Sequence, residues 1–235
     1  MKNYQRIGII GAMEVEIQTL RAAMTVDETR AVSGMTFYLG TLDGVSVVLA
    51  QSGVGKVFAA VAAEIMVTVF GADALVNTGV GGGIAEGLEI GEVVVATHLV
   101  QHDMDTTPIG DPPGLLSGIN IVELPCDEEL RSRLEAAMDA LAIPHRQGVI
   151  ASGDQFISST TQKERIRHLF GASVCEMEGA AIGQVAYINQ IPCAVLRAVS
   201  DNGDDSARVD FPTFARASAE KSAQVIRRFL QDFSK

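Results

Sequence analysis

The chain has too few bases, cysteines and uninterrupted apolar stretches for several broad roles. Lysine and arginine total 18 against 29 acids, a formal net charge of −11. Nucleic-acid surfaces need basic patches that neutralise phosphates, and anionic membranes attract the same sign, so neither is expected as a partner. The most apolar stretch, 57–76, is interrupted by Glu64 and Asp73. It offers no clean span of about 20 residues to cross a membrane. The opening MKNYQRIGIIGAME lacks the apolar run and cleavage site of a secretory signal. Cys126, Cys175 and Cys193 lie far apart, in or beside apolar runs. That suits reduced core thiols, and a cytoplasmic location is expected. Linkers, repeats and low-complexity tracts are also missing, so a single domain over 1–235 is expected.

What is present is an alternation of apolar runs and helical stretches. RIGII at 6–10 reads as a strand turning at Gly11, and Glu14 and Glu16 then open a helix whose dipole favours acids in its first turn. Two β-rich runs within MTFYLGTLDGVSVVLAQS are split by the hairpin signal Leu42-Asp43-Gly44. The pattern predicts a helix over 57–70, strands over 74–78 and 92–96, and a polar loop over 103–118. Asp127 is placed to cap a helix over 128–142. A strand over 147–151, the helix TQKERIRHLF, a strand–helix–strand over 174–201 and a helix over 212–233 with Pro212 near its start complete the chain. The expected fold class is α/β: a single-domain, three-layer fold with a mixed central β-sheet flanked by helices.

Two glycine-rich stretches fail as phosphate loops. Gly79–Gly83 would need glycine at Ile84 for a dinucleotide fingerprint, and Gly53-Val54-Gly55-Lys56 has Ala50 and Val57 where a P-loop needs Gly and Ser/Thr. These glycines read equally well as turns or as points where backbone approaches a ligand or another strand. His98 and His102, near Asp103 and Asp105, lack a metal-binding helix motif, so no metal or cofactor is expected. No nucleophile elbow is present. What remains is a set of carboxylates at element junctions: Glu16, Glu178 and Asp201, with Arg197 nearby. In a parallel sheet the exits of the strands that end at Glu176 and Ser200 would share one edge and face one cleft. Paired carboxylates suit glycosyl cleavage, one acting as acid and one as base. Capping acids and a structural ion pair fit the same pattern equally well.

Together the segments IGIIGAMEVEI, SGVGKV, NTGVGGGI, SGDQFI, EMEGAAI and LRAVSD resemble the 5′-methylthioadenosine/S-adenosylhomocysteine nucleosidases of the nucleoside phosphorylase superfamily, over nearly the whole chain. The resemblance implies a homodimer that needs no cofactor and hydrolyses a nucleoside substrate. It assigns Asp201, beside Ser200, as the acid that protonates adenine N7. Glu16 becomes the base for the attacking water, with Arg197 helping to hold that water. Glu178 would accept the ribose hydroxyls over Met177, Phe156 would stack on adenine, and Ile157 backbone would read the base edge. Met13, Val54 and Phe211 would line an apolar 5′-thio pocket, completed by the partner's 103–118 loop. Asp201 can be an acid at neutral pH only if burial raises its pKa by roughly three units. One departure stands out. Val80 replaces the Ser or Thr usual after the NTG glycine, which affects the water network and weighs against phosphorolysis. Related readings are a nucleosidase for another 5′ substituent, such as 6-amino-6-deoxyfutalosine, a purine nucleoside phosphorylase, or a binding module without turnover.

Overall fold

The computed structural model describes residues 4–233; the ends of the expected 1–235 domain, 1–3 and 234–235, lie outside the described residues. The first half runs β1 (Ile7–Gly11), α1 (Glu14–Ala23), β2 (Thr25–Val32), β3 (Met35–Leu42), β4 (Val45–Gln51), α2 (Lys56–Thr68), β5 (Ala74–Asn77), β6 (Val80–Gly83) and β7 (Val93–Gln101). The second half runs β8 (Leu124–Pro125), α3 (Glu128–Ala140), β9 (His145–Ser152), α4 (Thr160–Phe170), β10 (Ala172–Glu176), α5 (Gly179–Ile188), β11 (Cys193–Asp201) and α6 (Ala207–Gln231). Asp127 caps α3 by accepting from the Leu130 N–H at 2.9 Å.

The strands form one mixed sheet in the order β2-β3-β4-β1-β5-β11-β6-β10-β9-β7-β8. Because β11 also pairs with β7, the strands β11, β6, β10, β9 and β7 close into a small barrel at one end of the sheet. The central strands β1, β5 and β11 are buried at every position, as strands covered on both faces must be. Along β11, Val195 and Val199 face a core shared with α2 and α5. Ala194, Leu196 and Ala198 face a second core shared with α1, α3 and α6. This period of two produces the three layers. A smaller cluster of Ile157, Ile166 and Cys175 lies under α4.

Three features depart from the sequence reading. The segment 25–32 forms an exposed edge strand whose charges blunt it against further pairing. VGGG at 80–83, read as either turn or close-approach glycines, is itself a strand packed closely against β10. The last helix starts five residues early, at Ala207, and carries Pro212 inside it. No described helix is long and apolar enough to cross a membrane.

Candidate active site

The site forms where the sheet splits. β5 and β6 lie end to end along the same side of β11, which pairs with β5 through Cys193–Val195 and with β6 through Ala198–Asp201. On their other side β5 pairs with β1, in parallel, as far as Asn77, whereas β6 pairs with β10, antiparallel, through Gly82 and Gly83. The carboxyl ends of β1 and β10 therefore approach the Thr78-Gly79 break from opposite directions. A cavity of about 410 Å³ opens there. The expectation of two parallel strand exits on one edge is thus corrected: β10 and β11 run antiparallel, and β6 between them brings the exit of each beside the body of the other.

Glu16 enters from the first turn of α1. Its Oε2 accepts from the backbone N–H groups of Ala12 (2.7 Å) and Met13 (3.0 Å), and its Oε1 accepts from that of Val80 (3.0 Å). Burial raises its pKa, and Arg197 and the three N–H donors oppose the rise. A Cβ on Gly79 would overlap this carboxylate, so any larger residue there would have to displace it. Val80 uses its backbone on Glu16, while its buried side chain makes the adjoining wall apolar.

Asp201 occupies the other carboxylate position, at the end of β11. Its Oδ2 accepts from the Ser200 hydroxyl and its Oδ1 from the Gly203 N–H, both at 2.9 Å. Burial raises its pKa; those two bonds oppose the rise, and Asp210 and Asp204 reinforce it. Glu178, the N-cap residue of α5, accepts from the Gly55 N–H at 2.9 Å. Burial, and then the charge of Glu176, push Glu178 up to about 8, against the pull of Arg197.

The apolar lining comes from separate elements. Phe156, following β9, meets Phe211 of α6 edge to face with ring centroids 5.5 Å apart. Ile157, Met177, Met13 and Val54 join them around the cavity, together with Ser200. Phe156 and Val54 are 46% and 49% exposed, so the mouth is open on this side.

Arg197 is the exception among the expected site residues, since it lies beneath the cavity and does not line it. Its Nη2 donates to Asn77 and Glu176 and lies 3.7 Å from Glu178, while Nη1 donates to the Leu196 carbonyl. Glu176, to which the sequence reading gave no role, is the hub of this floor. It also accepts from the Ser152 hydroxyl and the backbone of Glu178 and Gly179. The acid pair in EMEG was its only sequence signal. His98 and His102 do not gather into a metal-sized cluster with other ligand types among the described residues.

A split mixed sheet with four buried carboxylates, Glu16, Glu176, Glu178 and Asp201, around one largely apolar cavity defines a class that also accounts for the chain's sequence. The Phosphorylase superfamily profile matches residues 6–231, and the chain belongs to that family. Within it, the chain is 37% identical over 226 residues to an aminodeoxyfutalosine nucleosidase of Campylobacter jejuni, covering 96% of this chain and 98% of that one. It is 34% identical over 227 residues to a 5′-methylthioadenosine/S-adenosylhomocysteine nucleosidase of a Shewanella species, covering 96% of each. Among solved structures, the Neisseria meningitidis 5′-methylthioadenosine/S-adenosylhomocysteine nucleosidase in complex with methylthio-immucillin-A superposes with a TM-score of 0.94 at 35% identity, covering 97% of this chain and 99% of that one.

Proposed function

We propose that this protein hydrolyses the N-glycosidic bond of 5′-methylthioadenosine and S-adenosylhomocysteine. The observation that carries the reading is the pair of buried carboxylates, Glu16 and Asp201, lining one cavity with unlike partners. Asp201 gives its proton to adenine N7 as the C1′–N9 bond breaks and its electron pair leaves with the base. Glu16 takes a proton from the water whose oxygen bonds to C1′. The N–H groups around Glu16 favour its ionised form, and burial makes it a better proton acceptor than an exposed glutamate. Glu178 accepts from the ribose hydroxyls above Met177, Phe156 stacks on adenine, and Ile157 backbone reads its edge. Met13, Val54 and Phe211 surround the 5′ sulfur. Arg197 supports the site from beneath the cavity, through its bond to Glu176 and its charge near Glu16 and Glu178.

The 5′ substituent is open to a second reading. The Campylobacter jejuni relative favours 6-amino-6-deoxyfutalosine as a further substrate, and apolar walls discriminate weakly between substituents. Val80 and the apolar lining support hydrolysis over phosphorolysis, since neither offers a phosphate a charged partner. We read the working unit as a homodimer in which the partner's 103–118 segment closes the open mouth. Ile109 in that segment is 81% exposed. Adenine release from all three substrates in phosphate-free buffer tests the proposal. Release without sugar 1-phosphate supports it, and the ratio of kcat/KM values ranks the substrates. No release by wild type, or undiminished release by Asp201→Asn, overturns it.

A further inference from the structure

The first turn of α2 is built without a cap of its own. Its N-cap is Gly55, at φ 102°, so no side chain is there to accept from the helix N–H groups. Two acids from distant loops do so instead. Glu178 accepts from the Gly55 N–H, and Asp154, just before Gln155 and Phe156, accepts from the Lys56 N–H at 2.8 Å. Asp154 is in turn fixed by Asp103, whose Oδ2 accepts from its N–H at 2.9 Å. Asp103 closes the circuit by accepting from Lys56 Nζ at 2.7 Å, and that Nζ also donates to Gln101 at 3.1 Å. Lys56 and Asp103 are both largely buried, with side chains 18% and 17% exposed. Burial works to raise the Asp103 carboxyl; Lys56 and the Asp154 N–H overcome it and hold the group below its ordinary value.

The circuit ties the β4–α2 loop, with Val54 and Gly55, to two loops that leave paired strands side by side at Gln101 and Ser152: the β9–α4 loop with Phe156 and the 103–118 segment. We propose that Lys56 is a positioning residue for sugar binding: its bond to Asp103 clasps these loops so that the Gly55 N–H holds Glu178 in place. The inference rests on the reading of Glu178 as acceptor of the ribose hydroxyls. Lys56 itself does not line the cavity, so it acts through Gly55 and Glu178 and not on the substrate.

The test is a KM-against-kcat split with 5′-methylthioadenosine. Lys56→Met is expected to raise KM about tenfold while kcat stays within about threefold, as loss of a charge-assisted bond that orients a binding group should do. Lys56→Arg, which keeps a donor for Asp103, is expected to recover most of that loss. In a Glu178→Gln background the Lys56→Met effect should shrink below about threefold, since residues acting through one contact are not additive. An unchanged KM in folded Lys56→Met, or a full effect in the Glu178→Gln background, overturns the proposal. Amide exchange at Gly55 decides separately from turnover. If wild type releases no adenine from any substrate, the functional reading fails, yet faster exchange in Lys56→Met still supports the clasp and equal exchange sinks it.

Discussion

At the scale of single residues, the site divides its work by giving similar carboxylates different surroundings. Glu16 meets only N–H donors, and Asp201 is held by one hydroxyl and one N–H. In the proposed reaction Glu16 must be ionised and Asp201 protonated. The acid limb of kcat/KM then belongs to Glu16 and the alkaline limb to Asp201, as apparent values of a coupled site. Asp201→Asn and Glu16→Gln should each lower kcat by about 10²–10⁴-fold while the protein still unfolds cooperatively. The Ser200 hydroxyl stabilises the ionised form of Asp201 and so lowers its pKa. Ser200→Ala should therefore move the alkaline limb to higher pH. A limb that moves down would contradict the assigned roles.

Glu178 gives a stability prediction of its own. Its carboxyl is raised from an ordinary 4.5 to about 8, mainly by burial. The folded state thus binds its proton more tightly than the unfolded chain does. Its contribution is fully present below the unfolded value and is lost as pH rises toward the folded one. Urea unfolding should show wild type losing stability relative to Glu178→Gln between about pH 4.5 and 8. A constant difference between the two across that range would contradict the raised pKa.

At the scale of elements, β6 decides the geometry. Its glycines have poor strand propensity, but they let β10, β11 and the two catalytic candidates close in around it. A Cβ on Gly81 would collide with Val174, and one on Gly82 would stand 2.9 Å from Asp201 Oδ1. Gly79, just before the strand, is the sharper case, because the atom it excludes belongs to Glu16. Gly79→Ala should displace that carboxylate and cut kcat by at least about tenfold with a smaller effect on KM, as steady-state kinetics would show. Equal loss in both constants would point to general disruption instead. This element also marks how far the sequence could be read. The strands β1, β5 and β11 were legible as nearly unbroken apolar runs, and α3 through its cap and the helical spacing of its buried residues. β6 was not, since glycine carries no periodic signal and its reason for being there lies in Val174, Cys175 and Glu16, remote in sequence. The same holds for Glu176. Its neighbour Glu178 stands at an element junction and takes its role from the resemblance, but only three-dimensional packing shows Arg197 bonded to Glu176 beneath the cavity. Strand β2 was hidden by charges that an edge strand tolerates and a buried one does not.

At the scale of the whole molecule, one chain leaves apolar surface that its own fold does not cover. Val57 and Phe58 of α2 are 73% and 56% exposed, and Ile188 of α5, the helix packed beside α2, is 57% exposed. A stable dimer interface buries about 1,200–2,000 Å² in total, and an apolar face of this kind is suited to its centre. The proposed dimer can be tested through its link to the site. Val57→Glu places a charge where solvent surrounds the isolated chain but a partner would bury it. Sedimentation should show this variant dissociating toward the 24.9 kDa monomer. Its activity should then rise with protein concentration, because the mouth beside Phe156 and Val54 would be closed only in the dimer. Ile109→Ala separates assembly from pocket completion. That variant should remain a dimer and raise KM for 5′-methylthioadenosine by about tenfold, with less effect on adenosine, which offers no alkylthio group to an apolar wall. If both variants keep wild-type kinetics while Val57→Glu is monomeric, the 5′ pocket is complete within one chain and the partner contributes nothing to it.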